Sequence, residues 1–355
     1  MVSDGTTATS AMATTCRAHD DPTGSEACDA DVGPAGEHSP ADAAAANETP
    51  WPSGRSEVKV PLMVRARISL VRAFLLLYAR CFGMSGLYLL GRFFGTLEYL
   101  TDYNRRRRVH RKLIDLFDGD YTPAERRRIA QRYFMRIRCD KMFYTIMDRI
   151  PRNKLLNRIK FKGGRNIDEA LTKGNGCYAA LCHFGSHHVA GLMMALMGYK
   201  IAGVRDPKES HVRRYIQNKY QETFPEVAAM RMVHASSFPR ILYRHLRGNG
   251  ILASLLDVDR RRGDHTKTHP VTFFGREREW LIGPLQMALR CGSPIVQGFV
   301  VSRRNFYYRL IATPPLIDTQ ALGRDEPAVI AEVLHRYAQG VERFARAHPD
   351  HLMNI

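Results

Sequence analysis

The chain contains no Cys-x-x-Cys pair, and its seven cysteines are scattered along 355 residues. An odd, scattered set in a long chain predicts free thiols in a reducing compartment and argues against a disulfide framework or structural zinc. The first fifty residues also lack the basic and apolar stretches of a secretory signal. They show no bulky apolar periodicity before Trp51, so we interpret residues 1–58 as a disordered tail.

Acidic residues are scarce outside this tail. Residues 1–50 hold nine acids and one base, which leaves 52 bases against 26 acids in the rest of the chain. Such a basic body is typical of proteins that bind nucleic acid, anionic lipid headgroups or an acidic protein, although an ordinary solvated surface is the simpler alternative. No nucleic-acid-binding motif accompanies the charge, so we do not expect a nucleic-acid partner.

A long uncharged apolar segment is missing as well. Arginines interrupt the apolar residues between Val60 and Leu100, and the longest uncharged run after Arg72 is eleven residues, Cys81–Gly91. That run is shorter than the roughly 20 residues that cross a bilayer core. Apolar stretches flanked by arginines instead predict a helix that lies in the membrane interface, with its arginines directed toward phosphates. A core helix and a tilted membrane span are the alternatives.

Helices are expected through the rest of residues 59–158, which we assign to a helical membrane-associating region. In the clearest case Thr122 can cap the helix, Pro123 suits the first turn and Glu125 completes a capping box. Apolar residues then recur at helical spacing: Ile129, Tyr133, Phe134, Ile137, Met142 and Ile146.

The third predicted domain, residues 159–355, alternates apolar runs with helical patterns. Strands are predicted in residues 176–182, 200–204, 249–258, 294–302 and 307–316, and helices in residues 186–198, 209–224, 238–248 and 283–292. This alternation predicts an α/β domain with a mixed, mainly parallel sheet flanked by helices.

Three histidines mark the point where the first of these strands gives way to a helix, in the run CHFGSHHVAG. His183 directly follows the strand, and ligands of α/β proteins usually bind at the carboxyl edge of the sheet. Gly185 permits backbone or substrate to come close there. The adjacent His187 and His188 point about 100° apart on a helix, so they do not both face one ion and no metal site is expected.

The run HFGSHH, followed about seventy residues later by LLDVD and then VTFFG, resembles the lysophospholipid acyltransferase superfamily and its lipid A late acyltransferase branch. The resemblance extends from about Leu70 to the end of the chain and implies a glycerolipid acyltransferase-like fold. It implies an O-acyltransferase that moves a fatty acyl group from an acyl thioester to a hydroxyl of a lipid or glycolipid acceptor. The implied donor is acyl carrier protein or acyl-CoA, no cofactor is implied, and the implied location is the cytoplasmic face of a bacterial inner membrane.

The resemblance also implies roles for individual residues. His183 corresponds to the general base that takes the proton from the acceptor hydroxyl, so that no covalent acyl-enzyme is needed. Asp257 corresponds to the Asp at the end of a later strand, and Arg205 to an arginine that contacts substrate phosphate or the reacting carbonyl. The remaining candidates for substrate binding are Gly185, Phe273, Phe274, Gly275 and Gly283.

The sequence departs from the family pattern at His188, where the family has an Asp or Glu that orients the catalytic histidine. A neutral imidazole can accept one hydrogen bond but supplies no negative charge. Three interpretations stay open. His188 orients His183 as a neutral partner; another acid takes over, the candidates being Asp257, Asp259 and Asp206; or the protein is a catalytically inactive lipid- or membrane-binding homologue.

Overall fold

The fold is known from a computed structural model, which describes residues 60–117, 119–205, 210–234, 239–258, 267–318, 320 and 326–352. The predicted disordered tail, residues 1–58, lies outside these ranges. Two of the candidate acids, Asp206 and Asp259, also lie outside the described residues, and Arg205 is described by its backbone alone.

Three helices come first in the described chain: α1 (Leu62–Thr101), α2 (Tyr103–Leu116) and α3 (Pro123–Ile146). Helices therefore occupy these three ranges, whereas the assignment of residues 59–158 to a membrane-associating region stays a prediction. At the start of α3, the Thr122 hydroxyl accepts the Glu125 N–H and the Glu125 carboxylate accepts the Thr122 N–H, which confirms the capping box. Gly83, with a φ of 67°, interrupts the helical backbone of α1 and kinks it.

One face of α1 is buried and the opposite face is exposed and apolar. The buried face contacts α3, and Gly95 comes so close that an added Cβ would lie 2.4 Å from the Met135 Cα. The exposed face carries large apolar side chains, among them Leu70, Phe74, Leu77, Phe82, Phe93, Leu97 and Leu100. By length and composition alone α1 is also able to cross a membrane, a property that the eleven-residue uncharged run did not indicate.

The remaining elements form a sheet flanked by helices. In chain order they are α4 (Arg152–Leu156), β1 (Ile159–Lys162), α5 (Gly164–Thr172), β2 (Cys177–Leu181), α6 (His187–Leu196), β3 (Ile201–Arg205), α7 (His211–Thr223), α8 (Pro225–Ala228), β4 (Arg231–His234), α9 (Pro239–Arg247), β5 (Ile251–Leu255), β6 (Thr268–Phe273), β7 (Arg276–Leu281), α10 (Gly283–Arg290), β8 (Ile295–Ser302), β9 (Tyr308–Pro315) and α11 (Pro327–Ala347).

Seven of these strands form one sheet in the order β1-β9-β8-β2-β5-β3-β4, and β6 and β7 form a separate hairpin. Every neighbouring pair in the sheet is parallel except β8 and β9, which are antiparallel. Alternate residues of β2 enter two different cores, Tyr178 and Ala180 on one face and Cys177 and Ala179 on the other. The prediction of a mixed, mainly parallel sheet flanked by helices is therefore confirmed.

Candidate active site

His183 and Asp257 meet because of the register between β2 and β5. The two strands are parallel neighbours, and Leu181 at the end of β2 lies opposite Leu255 at the end of β5. The pairing continues one residue further, where the Leu256 N–H donates to the Leu181 carbonyl at 3.0 Å. The next positions are His183 and Asp257, so two side chains 74 residues apart in sequence arrive side by side at the carboxyl edge.

The Asp257 carboxylate holds His183 through two hydrogen bonds. One oxygen lies 2.9 Å from the His183 Nδ1, and the other accepts the His183 backbone N–H at 2.7 Å. Because a carboxylate only accepts hydrogen bonds, Nδ1 carries the proton and Nε2 is the basic nitrogen. The His183 side chain is 19% exposed and that of Asp257 only 8%, so the base is the more accessible of the two.

Tyr337 on α11 contacts the end of the strand that precedes His183. Its hydroxyl donates to the Leu181 carbonyl at 2.7 Å. Burial, reinforced by the nearby Asp257 charge, raises the pKa of Tyr337 well above its usual value, so the hydroxyl stays protonated. Tyr337 was not among the predicted site residues because α11 was not predicted; its signal in the sequence is the helical apolar pattern of residues 327–347.

The backbone turn after His183 is held by β8 and by the end of the described chain. Gly185 has a φ of 59°, and an added Cβ would lie 1.8 Å from the Val300 carbonyl oxygen. Its N–H donates to the His351 carbonyl at 2.7 Å, and the Phe184 ring stacks on the His351 ring. Gly185 therefore permits a close approach of Val300, a neighbouring backbone segment.

His188 lies apart from the hydrogen bonds of His183. Its ring contacts Tyr144 and His187, with ring centroids 6.1 and 3.9 Å away. Burial, together with the positive charge of Arg213, lowers the pKa of His188 to about 3, so the imidazole is neutral at physiological pH. A residue that orients His183 would accept a hydrogen bond from its Nδ1 atom, and this atom is already hydrogen-bonded to Asp257.

His187 sits between the other two histidines. Its ring centroid lies 5.9 Å from that of His183, in an edge-on arrangement. Burial, with further contributions from His188 and His183, lowers its pKa well below the usual value. Its Nδ1 atom is buried without a hydrogen-bond partner, so solvent does not reach that nitrogen.

The other predicted site residues fall into two groups. Arg205 ends β3, next to β5, so its backbone lies at the same sheet edge as His183 and Asp257. Gly283 begins α10 directly after Ile282.

Among the described residues, no cluster of three or more histidine, cysteine, aspartate or glutamate side chains has the arrangement of a metal site.

The second group, Phe273, Phe274 and Gly275, lies at the β6–β7 hairpin. Phe273 is buried, with its ring 5.2 Å from that of Trp280. Phe274 and Gly275 are the two turn residues and both have positive φ, 48° and 68°, as a tight hairpin with two central residues requires. The Phe274 ring packs 5.1 Å from that of Phe117. Both phenylalanine rings therefore pack against other aromatic side chains of the chain.

Comparison with known protein families matches residues 56–355 to a family described as bacterial lipid A biosynthesis acyltransferase. The matched range includes His183, Asp257 and every other candidate site residue. A comparison with curated proteins found no match.

Proposed function

Since the chain belongs to the bacterial lipid A biosynthesis acyltransferase family, we propose that His183 and Asp257 catalyse the transfer of an acyl group to a hydroxyl of a lipid A-type acceptor. The family membership makes the chain an acyltransferase and confirms the resemblance seen in its sequence. The observation that supports the catalytic pair is the double hydrogen bond between the Asp257 carboxylate and His183.

The proton on His183 Nδ1 leaves Nε2 free to act as the base, and the proposed reaction starts from this arrangement. The Nε2 atom of His183 takes the proton from the acceptor hydroxyl while the acceptor oxygen attacks the thioester carbonyl carbon. The new C–O bond gives a tetrahedral intermediate, and the resulting imidazolium is stabilised by the negative charge of Asp257. Collapse of the intermediate breaks the C–S bond, and the departing sulfur takes the proton back from Nε2. The products are an ester and a free thiol, and the histidine returns to its starting state.

The basic composition of the chain outside residues 1–50 supports an acyl donor on acyl carrier protein or CoA. Both carriers are anionic, and outside residues 1–50 the chain holds twice as many bases as acids. Electrostatic attraction of this kind accelerates encounter and weakens with salt. In this proposal Arg205, at the end of β3, binds a substrate phosphate or the reacting carbonyl, because its guanidinium can donate two parallel hydrogen bonds.

The exposed apolar face of α1 supports association with the cytoplasmic face of the inner membrane. Since the opposite face packs on α3 along the helix, we propose that α1 lies in the membrane interface and inserts its exposed side chains among the lipids.

One observation favours a second function, that of a catalytically inactive lipid-binding homologue. His188 stands where the family has its orienting acid, and it is neutral in this structure. The hydrogen bonds between Asp257 and His183 favour the active enzyme, because they supply both the tautomer and the negative charge that His188 does not.

Acyl transfer by the purified full-length chain tests the proposal. The protein is incubated with an underacylated lipid A precursor and with labelled acyl groups on acyl carrier protein or, separately, on CoA. We expect an ester product that contains the label, from at least one donor. Absence of product from both donors, together with product formation by a His188→Glu variant, would establish the inactive homologue instead.

A further inference from the structure

A basic cavity lies where α1 ends and where α2 and α3 pass each other, on elements that the proposed chemistry does not use. Its volume is about 560 Å³. Three arginines and one histidine line it, Arg106, Arg126, Arg127 and His110, together with Tyr99 and two apolar residues. No acidic side chain is among the described residues that line the cavity.

Two of the arginines are held in place by backbone carbonyls. The Arg106 Nη1 atom donates to the Tyr99 carbonyl at 3.1 Å, and the Arg126 Nη1 atom donates to the Tyr121 carbonyl at 2.6 Å. These bonds use part of the five donors of each guanidinium, and the remaining donors suit the oxygens of a phosphate. The neighbouring Glu125 directs its carboxylate to the Thr122 N–H and hydroxyl, both at 2.8 Å.

The surroundings of His110 show that positive charge accumulates at this cavity. Burial lowers the pKa of His110, and Arg106, Arg127 and Arg126 each lower it further by repelling the protonated form. Three guanidinium groups and no acidic side chain are among the described residues that line the cavity, so it is a region of positive potential that an anion would stabilise.

The position of the cavity indicates which anion. Tyr99 belongs to the last turn of α1, and the exposed apolar side chains of Leu97, Leu100 and Tyr103 surround that turn. A helix that inserts such side chains among lipids has the lipid phosphates at the same level. We propose that this cavity binds the phosphate of an anionic phospholipid headgroup and so fixes the end of α1 at the membrane surface. The inference rests on the proposed membrane association and is independent of acyl transfer.

Vesicle binding by a charge-reversed variant tests this site. The double variant Arg126→Glu/Arg127→Glu of the full-length chain is compared with the wild type on vesicles of phosphatidylcholine with and without phosphatidylglycerol. We expect its affinity for the anionic vesicles to fall by about tenfold or more, with little change on pure phosphatidylcholine. The single variant Arg127→Glu keeps the Arg126 contact with Tyr121 and should show a smaller loss of the same kind, which separates binding from any folding defect.

The matched control reverses two charges elsewhere. Arg165 and Lys173 are exposed, on and just after α5, and Arg165→Glu/Lys173→Glu makes the same change in net charge. We expect this control to lower the affinity less than about twofold, because neither residue lines the cavity and exposed charges away from a binding site are screened by salt. Equal losses in both double variants would overturn the site and leave only a general charge effect.

Two further outcomes would overturn the lipid as ligand. If the Arg126/Arg127 variant binds vesicles normally but has a raised KM for acyl carrier protein, the cavity is a docking surface for that acidic protein. If the wild type binds inorganic phosphate and the Arg126/Arg127 variant does not, while both proteins bind anionic vesicles equally well, a free phosphate is the ligand. Vesicle binding is measured without acyl donor or acceptor. Its result can therefore be interpreted even if the protein transfers no acyl group.

Discussion

Asp257→Asn is expected to lower kcat for acyl transfer by about 10³- to 10⁴-fold, with little change in KM for the acceptor. An amide keeps the shape of the side chain, but it presents an NH₂ group as well as an oxygen and has no charge. The His183 imidazole then loses both its fixed tautomer and the stabilisation of its protonated form. The expected loss of kcat is based on the corresponding Asp-to-Asn change in a serine protease triad, which lowers turnover about 10⁴-fold.

His188→Asn is the matched control for this prediction. It removes the histidine at the position where the family has an acid and leaves the hydrogen bonds between Asp257 and His183 in place. We expect its kcat to stay within about threefold of the wild type, since a contribution from general acid–base chemistry would exceed that range. The reverse pattern, a large loss in His188→Asn and none in Asp257→Asn, would show that His188 orients the base.

Gly185→Ala is expected to reduce both stability and activity. The positive φ alone costs an alanine about 1–2 kcal/mol, and the added methyl would collide with the Val300 carbonyl oxygen at 1.8 Å. Relief of that collision must move the turn that carries His183, and a displacement of about 1 Å can lower kcat by about 10². Thermal unfolding and kcat, measured on the same preparation, check both effects.

Gly174→Ala is the control for this substitution. Gly174 also has a positive φ, 77°, but an added Cβ would have no heavy atom within 4 Å. We expect a similar cost in backbone strain and an unchanged kcat. If Gly185→Ala behaves in the same way, the contact with Val300 does not position His183.

The sequence allowed the sheet to be predicted where apolar runs were long and bounded by turn residues. β2, β3, β5, β8 and β9 follow this rule, and their predicted positions agree with the structure. The four-residue strands β1 and β4 carry too short an apolar pattern to be recognised. The β6–β7 hairpin was missed because its turn places Phe274, a bulky residue, at positive φ, where sequence rules expect glycine or asparagine.

Local sequence identified the candidate base but left its orienting partner open. His183 was recognisable from the strand–turn–helix pattern around it. The choice between His188 and Asp257 depends on which atom reaches the His183 Nδ1, and that is decided by the register of two strands 74 residues apart. Sequence spacing favours the nearer residue, whereas the fold brings the distant one into contact.

A double-mutant cycle of His183→Ala and Asp257→Asn tests most directly whether these two residues act as one catalytic unit. The kcat of the wild type, both single variants and the double variant is measured with the same donor and acceptor. Because Asp257 acts through His183, we predict that the double variant is no slower than His183→Ala alone. Losses that simply multiply in the double variant, or a His183→Ala variant that keeps the full rate, would contradict the account.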